Sequence, residues 1–268
     1  MRRFHLIELH EQPWYPALWR EIFQLSMGRA MSQMGALDHV ADDFRLFLET
    51  VRPRAVLDMC SGSGELPVSL WKSITASFDP AVRPTLMISD LYPNREAFRA
   101  FKEQNPGVVD FYPSPVNVLS PPADAPRVRT MFNSLHHFRP EEVLAILRNV
   151  TETADGFAAF EVTRRTWRNL AEAALLVPLL SAFFTAFKLE PVRFRNVLWG
   201  LLLPVVPITT ALDGLVSNLR TYTVDELTEL TQRLDRPDFR WKIGIADIPK
   251  SRLKATYVFG WKTGQRVA

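Results

Sequence analysis

Cysteine is almost missing from this chain. The single thiol, Cys60 in 268 residues, excludes an intramolecular disulfide and a cysteine-built zinc cage. No block of Lys and Arg with interleaved aromatics occurs, and the formal net charge is only +3, which disfavours nucleic acid as a partner. Internal repeats and low-complexity linkers are missing too. The start, Met1-Arg-Arg-Phe-His5, carries two positive charges, but Glu8, Glu11 and Pro13 follow before any long apolar run. No cleavable leader is visible, and the cytoplasmic side is expected.

What is present fits a compact protein of enzyme size, with a hydrophobic fraction of 47% and a charged fraction of 23%. Strand-like runs at 55–58, 85–90, 108–112, 128–132 and 156–162 alternate with helical or turn-rich stretches. That alternation predicts a parallel sheet with crossover helices. Residues 1–50 read as helical, with Trp14, Leu18, Ile22 and Leu25 on one face and His39, Phe44, Leu46 and Leu48 in a second segment. Pro140 followed by two acids opens a later helix, and Thr223 with Glu226 forms a capping box opening the last one. The runs 239–245 and 255–261 predict a terminal β-hairpin.

The most informative stretch is Ala55-Val-Leu-Asp-Met-Cys-Ser-Gly-Ser-Gly64, an apolar run that ends in an acid and then a Gly-x-Gly turn. Glycine is needed where the backbone takes positive φ or a ligand approaches the main chain. A dinucleotide fingerprint wants a third glycine three residues further on, and Pro67 stands there. The pattern leans toward a ligand whose carboxylate and amine sit at the turn.

On these residues the chain resembles the class I S-adenosylmethionine (SAM) methyltransferases, whose first motif is an acid, small residues and Gly-x-Gly after the first strand. Asp58, Cys60, Gly62 and Gly64 match it. Asp90, closing Thr85-Leu-Met-Ile-Ser-Asp90, fits the acid that holds the ribose hydroxyls, with Leu91 or Tyr92 flanking the adenine. Asn117 stands where many members carry Asp against the adenine. The resemblance implies SAM as cofactor and a doubly wound α/β fold with a mostly parallel seven-stranded sheet. The expected organisation is an N-terminal helical cap at 1–50, a SAM-binding core at 51–165, an apolar helical insertion at 166–222, and a last helix with the hairpin at 223–268.

In that insertion the runs 173–187 and 197–212 are broken only by small polar residues and by Pro178, Pro204 and Pro207, with Lys188, Arg193 and Arg195 between them. Each would span roughly 22 to 24 Å as a helix, short of a hydrocarbon core of about 30 Å. Such runs suit a hairpin that dips into one leaflet and places the protein on the inner face of the membrane. They equally suit an internal lid or a dimer interface. A lipophilic or lipid acceptor is favoured under either reading.

His136 and His137 follow the fourth strand at the carboxyl edge of the sheet, where ligands bind in open α/β folds. An imidazole can take a proton near neutral pH, so one of the pair is the candidate base for a hydroxyl acceptor. Cys60 reads as a small residue in a tight turn rather than a nucleophile, because no basic partner sits beside it. Glu161 ends the fifth strand and could face substrate, while Asp213 beside Gly214 reads as the end of the second apolar helix. Arg129 and Arg220 are their expected partners. A metal site would need Glu161, Asp213 or His39 to converge, which no spacing demands. Methyl transfer competes with two other readings, an accessory SAM-fold protein on a membrane partner and a SAM-fold enzyme of non-methylating chemistry.

Overall fold

The computed structural model describes residues 1–37, 40–189, 193–247 and 254–264, and His39 lies outside them. The chain forms two compact units. One combines Ala36–Val162 with Thr223–Ala268, and the other combines Met1–Gly35 with Thr163–Tyr222.

The first unit carries a seven-stranded sheet. Its strands are β1 (Ala55–Asp58), β2 (Thr85–Ile88), β3 (Val109–Phe111), β4 (Val128–Phe132), β5 (Gly156–Glu161), β6 (Phe239–Asp247) and β7 (Lys254–Lys262), in the order β3-β2-β1-β4-β5-β7-β6. The pairs β1–β2, β1–β4, β2–β3 and β4–β5 are parallel, and β7 runs antiparallel to both β5 and β6. The chain winds outward from β1 to β3 and then returns to β4 on the other side of β1. This reversal opens a crevice at the carboxyl ends of β1 and β4, the place where open α/β sheets bind ligands. Every residue of β4 and β5 is buried, as expected of strands covered on both faces.

The helices of this unit are α2 (Ala41–Val51), α3 (Glu65–Thr75), α4 (Arg95–Gln104), α5 (Pro140–Thr153) and α10 (Val224–Gln232). The inward face of α2 is Phe44, Phe47 and Leu48, whereas Leu46 is exposed, contrary to the sequence pattern. Phe44 meets Trp71 of α3, Phe132 of β4 and Phe160 of β5 with ring centroids 5.2 to 6.1 Å apart. An aromatic side chain so enclosed contributes several kcal/mol, and truncation to Ala costs about 3–5 kcal/mol. The two expected caps form: Glu142 Oε2 accepts from the N–H of Arg139, and Thr223 and Glu226 make the reciprocal capping box. Arg129 on β4 reaches Asn149 and Thr153 of α5, so it is not the partner of Glu161.

The second unit is helical. It contains α1 (Ala17–Gln33), α6 (Trp167–Leu175), α7 (Val177–Phe183), α8 (Phe194–Val197) and α9 (Val205–Arg220), with π-helical turns at Phe184–Lys188 and Leu198–Leu202. Trp14 precedes α1 and is exposed rather than lying on its buried face. The second apolar run is not one helix, because Leu203 and Pro204 break it and the two parts are bent by 58°. A proline inside a helix removes a backbone donor and clashes with the preceding turn.

Asp213 is inside α9 and does not end it. Its carboxylate accepts from the N–H groups of Leu9 and His10 at 2.7 and 3.0 Å and pairs with the His10 ring at 2.8 Å. Arg220 pairs with Glu8 and Glu11 at 3.0 to 3.1 Å and donates to the carbonyl of Leu6. The segment before α1 is therefore bound to α9 by charge and hydrogen bonds.

Candidate active site

Two glycines shape the turn between β1 and α3, each for a different reason. Gly62 has φ +58° and no atom within 4 Å of where a Cβ would stand, so its surface is open to a ligand. Gly64, at φ +81°, caps the start of α3, and a Cβ there would come within 3.2 Å of Ile88 and Phe101. Gly62 thus leaves space for a ligand, and Gly64 allows the helix to pack. Cys60 is also left-handed, at φ +62°, and is half-buried.

Asp58 lies beneath this turn and is fully buried. Its carboxyl accepts from Ser61 Oγ at 2.5 Å and from Thr130 Oγ1 on β4 at 2.9 Å. Burial raises its pKa to about 8, against the hydrogen bonds from Ser61 and Thr130, which lower it. Asp58 therefore fixes the loop from below.

Asp90 follows β2 and faces the same turn. Its Oδ2 accepts from the Gly62 N–H and its Oδ1 from the Tyr92 N–H, both at 2.8 Å. Each oxygen retains a second lone pair for a ligand hydroxyl. Burial pushes this carboxyl up from the ordinary range, opposed by those two N–H groups and by the nearby His137 ring. Leu91 and Tyr92 are exposed beside it. The carbonyl of Asp90 accepts from the N–H of Val116, which brings the loop after β3 to the same edge. Asn117 is exposed on that loop, its Oδ1 accepting from the N–H of Leu119.

The two histidines are on a short 3-10 turn, Leu135–His137, rather than on a strand. Their rings lie 4.3 Å apart at 36°, so the alternation of strand side chains does not separate them. His136 is buried, and its Nδ1 lies 2.5 Å from Oε2 of Glu161, the last residue of β5. Oε1 of Glu161 accepts from the N–H of Leu135 at 2.6 Å. A carboxylate this close to Nδ1 favours a proton on that nitrogen. His137 is half-buried. Asp58, Cys60, Gly62 and Asp90 are thus gathered at one sheet edge, with His137 beside Asp90 and His136 against His137.

The sequence offers Glu161 as a group facing substrate or metal, or as a partner of Arg129, and does not point to His136. The signal for its role was its position, since β5 lies next to β4 and an acid ending β5 adjoins the residues that follow β4.

No family model matches the sequence, and no curated protein matches it significantly. Solved structures do. The plantazolicin methyltransferase BpumL in complex with SAH is similar with a TM-score of 0.59, covering 96% of this chain and 95% of that one at 12% identity. The fold is that of the class I SAM-dependent methyltransferases. PigF with SAH shares this fold with a TM-score of 0.51 at 18% identity, over 94% of this chain and 63% of its own. Human N-acetylserotonin methyltransferase in complex with SAM does so with a TM-score of 0.50 at 12% identity, over 94% and 59%. This chain therefore spans less than two thirds of those two proteins.

Proposed function

We propose that this chain is a SAM-dependent methyltransferase acting on a hydroxyl group of a lipophilic or membrane-associated acceptor. The observation that carries the reading is the His136–Glu161 pair at the carboxyl edge of the sheet, beside a Gly-x-Gly turn that is open at Gly62. The fold adds a precedent, because similar structures hold SAH or SAM. Bound SAM supplies an electrophilic methyl group.

The residues present fit that cofactor. The open face of Gly62 leaves room for it against the backbone, the remaining lone pairs of Asp90 suit two ribose hydroxyls, and Leu91, Tyr92 and Asn117 flank the place for the base. Nε2 of His136 takes the proton of the acceptor hydroxyl. Glu161 holds the ring in orientation and stabilises the imidazolium that results. A positioned base of this kind contributes about 10² to 10⁴ in rate, and alignment supplies much of the rest. The lipophilic character of the acceptor rests on the insertion, which leaves the sheet just after Glu161 and contains the two apolar runs.

Incubation with methyl-labelled SAM and a lipid extract tests the assignment. Label in a methyl ether product, lost in His136→Ala while SAM affinity is retained, is expected. SAM binding without label transfer would favour an accessory role, and a labelled water-soluble product would overturn the lipophilic acceptor.

A further inference from the structure

The helical unit has an apolar core around Ile22, Leu189 and Val206, yet it also turns a large apolar surface outward. In a soluble protein the helix Trp167–Lys188 would bury its apolar side, yet only 28% of its most apolar stretch of 18 residues is buried. Leu175, Leu179, Phe183 and Phe187 recur every four residues, which places them in one stripe, and they are 46 to 69% exposed. The inward side of the same helix carries Ser181 and Thr185, both buried, and Ser181 bonds to Thr210 of α9 at 2.9 Å. On the second run the pattern repeats. Asp213 and Arg220 point inward to the N-terminal segment, while Ile208, Leu212 and the elbow at Leu201–Leu203 are exposed. An exposed apolar surface of this extent marks a binding face.

Charge indicates the occupant. Residues 163–222 hold seven Lys and Arg against three Asp and Glu, so this segment alone is more positive than the whole chain at +3. Lys188 and Arg193 are exposed at the far end of the stripe, and Trp167 is 81% exposed at its start, beside Arg168. The Lys188 ammonium lies over the ring of Phe183, 5.6 Å from its centroid. Apolar side chains in the middle with Trp and basic groups at the ends are the composition of a helix lying in a lipid interface. Each helix turns an almost wholly apolar side outward, while its inner side mixes buried apolar residues such as Phe184, Ala186 and Val206 with polar groups such as Ser181, Thr210 and Asp213. A flat embedding in one leaflet satisfies both sides, whereas a span would place those polar groups in hydrocarbon.

We propose that this face docks the protein in the plane of an anionic lipid bilayer, with the Leu175–Phe187 stripe and the Leu201–Leu203 elbow entering the acyl boundary. Docking is independent of the proposed methyl transfer, since it involves no residue of the candidate active site.

Sedimentation of the full chain with vesicles of equimolar phosphatidylglycerol and phosphatidylcholine tests it. The wild type should sediment, and salt should release only part, because charge attraction is screened and apolar burial is not. Changing Leu179, Phe183 and Leu202 to Ser should weaken partitioning by about 10²-fold or more, given the area removed, with the unfolding midpoint unchanged. A second variant, Lys188→Glu with Arg193→Glu, should bind anionic vesicles more weakly than the wild type while matching it on pure phosphatidylcholine. A wild type that stays in the supernatant overturns the proposal, as does wild-type partitioning by the triple variant. So does a vesicle-free dimer that the triple substitution dissolves, since the face would then join two copies of this chain.

Discussion

Glu161 and His136 are joined through Oε2 and Nδ1 at 2.5 Å, although 25 residues separate them in the chain. The contact exists because β5 lies beside β4, which sets the last residue of one strand against the turn that follows the other. The second oxygen of Glu161 is held by the N–H of Leu135, so the carboxylate is positioned independently of the imidazole. Such an arrangement favours one tautomer, which is what a general base requires.

His136→Ala should lower turnover by about 10² to 10⁴-fold with little change in SAM affinity. Glu161→Gln should also reduce kcat, since an amide neither fixes the same tautomer nor stabilises an imidazolium. Steady-state kinetics combined with calorimetric SAM titration decides this. Full turnover in both variants would remove the base from the reaction, and joint loss of SAM binding would make the pair structural.

Asp90→Asn should weaken SAM binding by about tenfold or more, the scale of a hydrogen bond to a charged group. Asn has one acceptor oxygen in place of two, so one of the N–H groups of Gly62 and Tyr92 would lose its acceptor and the turn loosens. Gly62→Val should abolish binding, because a β-branched residue at φ +58° is strained and its side chain fills the open side of the turn. Calorimetric titration reads both, and wild-type affinity in the two variants would refute the cofactor site.

Much of the sheet was legible in the sequence because its central strands are short apolar runs bounded by turn residues, and the boundaries agree within two residues. The Gly-x-Gly turn was equally plain, since positive φ leaves few residue choices. The contacts of Asp213 and Arg220 were not, because their partners lie more than 200 residues away in the N-terminal segment. Nor could a hydropathy run show that the apolar side of Trp167–Lys188 faces outward. That orientation depends on packing within the unit, where Phe184 and Val206 are buried beside the Ser181–Thr210 bond and the contacts of Asp213.

Asp58 should make stability depend on pH. Its folded pKa is about 8 against 3.8 for the free side chain, so the folded state binds the proton more tightly. The resulting stability is fully present below about pH 4 and is lost as pH rises through about 8, by at most ~1.4 kcal/mol per pH unit. Asp90 is shifted in the same direction by its burial and adds to the trend. Asp58→Asn should flatten the decline of the urea midpoint between pH 5 and pH 8.5, values chosen to lie roughly across this window. Parallel wild-type and variant profiles would show that the carboxyl stays ionised.

Arg220→Ala should destabilise the helical unit by about 3–5 kcal/mol, the usual cost of removing one member of a buried ion pair. Arg220 is 4% exposed and Glu8 0%, so the Glu8 carboxylate would lose the Arg220 guanidinium where water cannot replace it. Glu11, at 27% exposure, can turn to solvent and should matter less. Adding Glu8→Gln to Arg220→Ala should therefore recover a substantial part of the loss, and adding Glu11→Gln should recover little. Thermal unfolding gives the energies. Hydrogen exchange over residues 1–16 locates them, because the N–H groups of Leu9 and His10 depend on this segment staying against Asp213. Equal recovery by both second substitutions would mean that the charge is not sealed from water. The inward polar groups of α9 would then be only weakly held, and the outward direction of Ile208 and Leu212 would lose part of its physical cause.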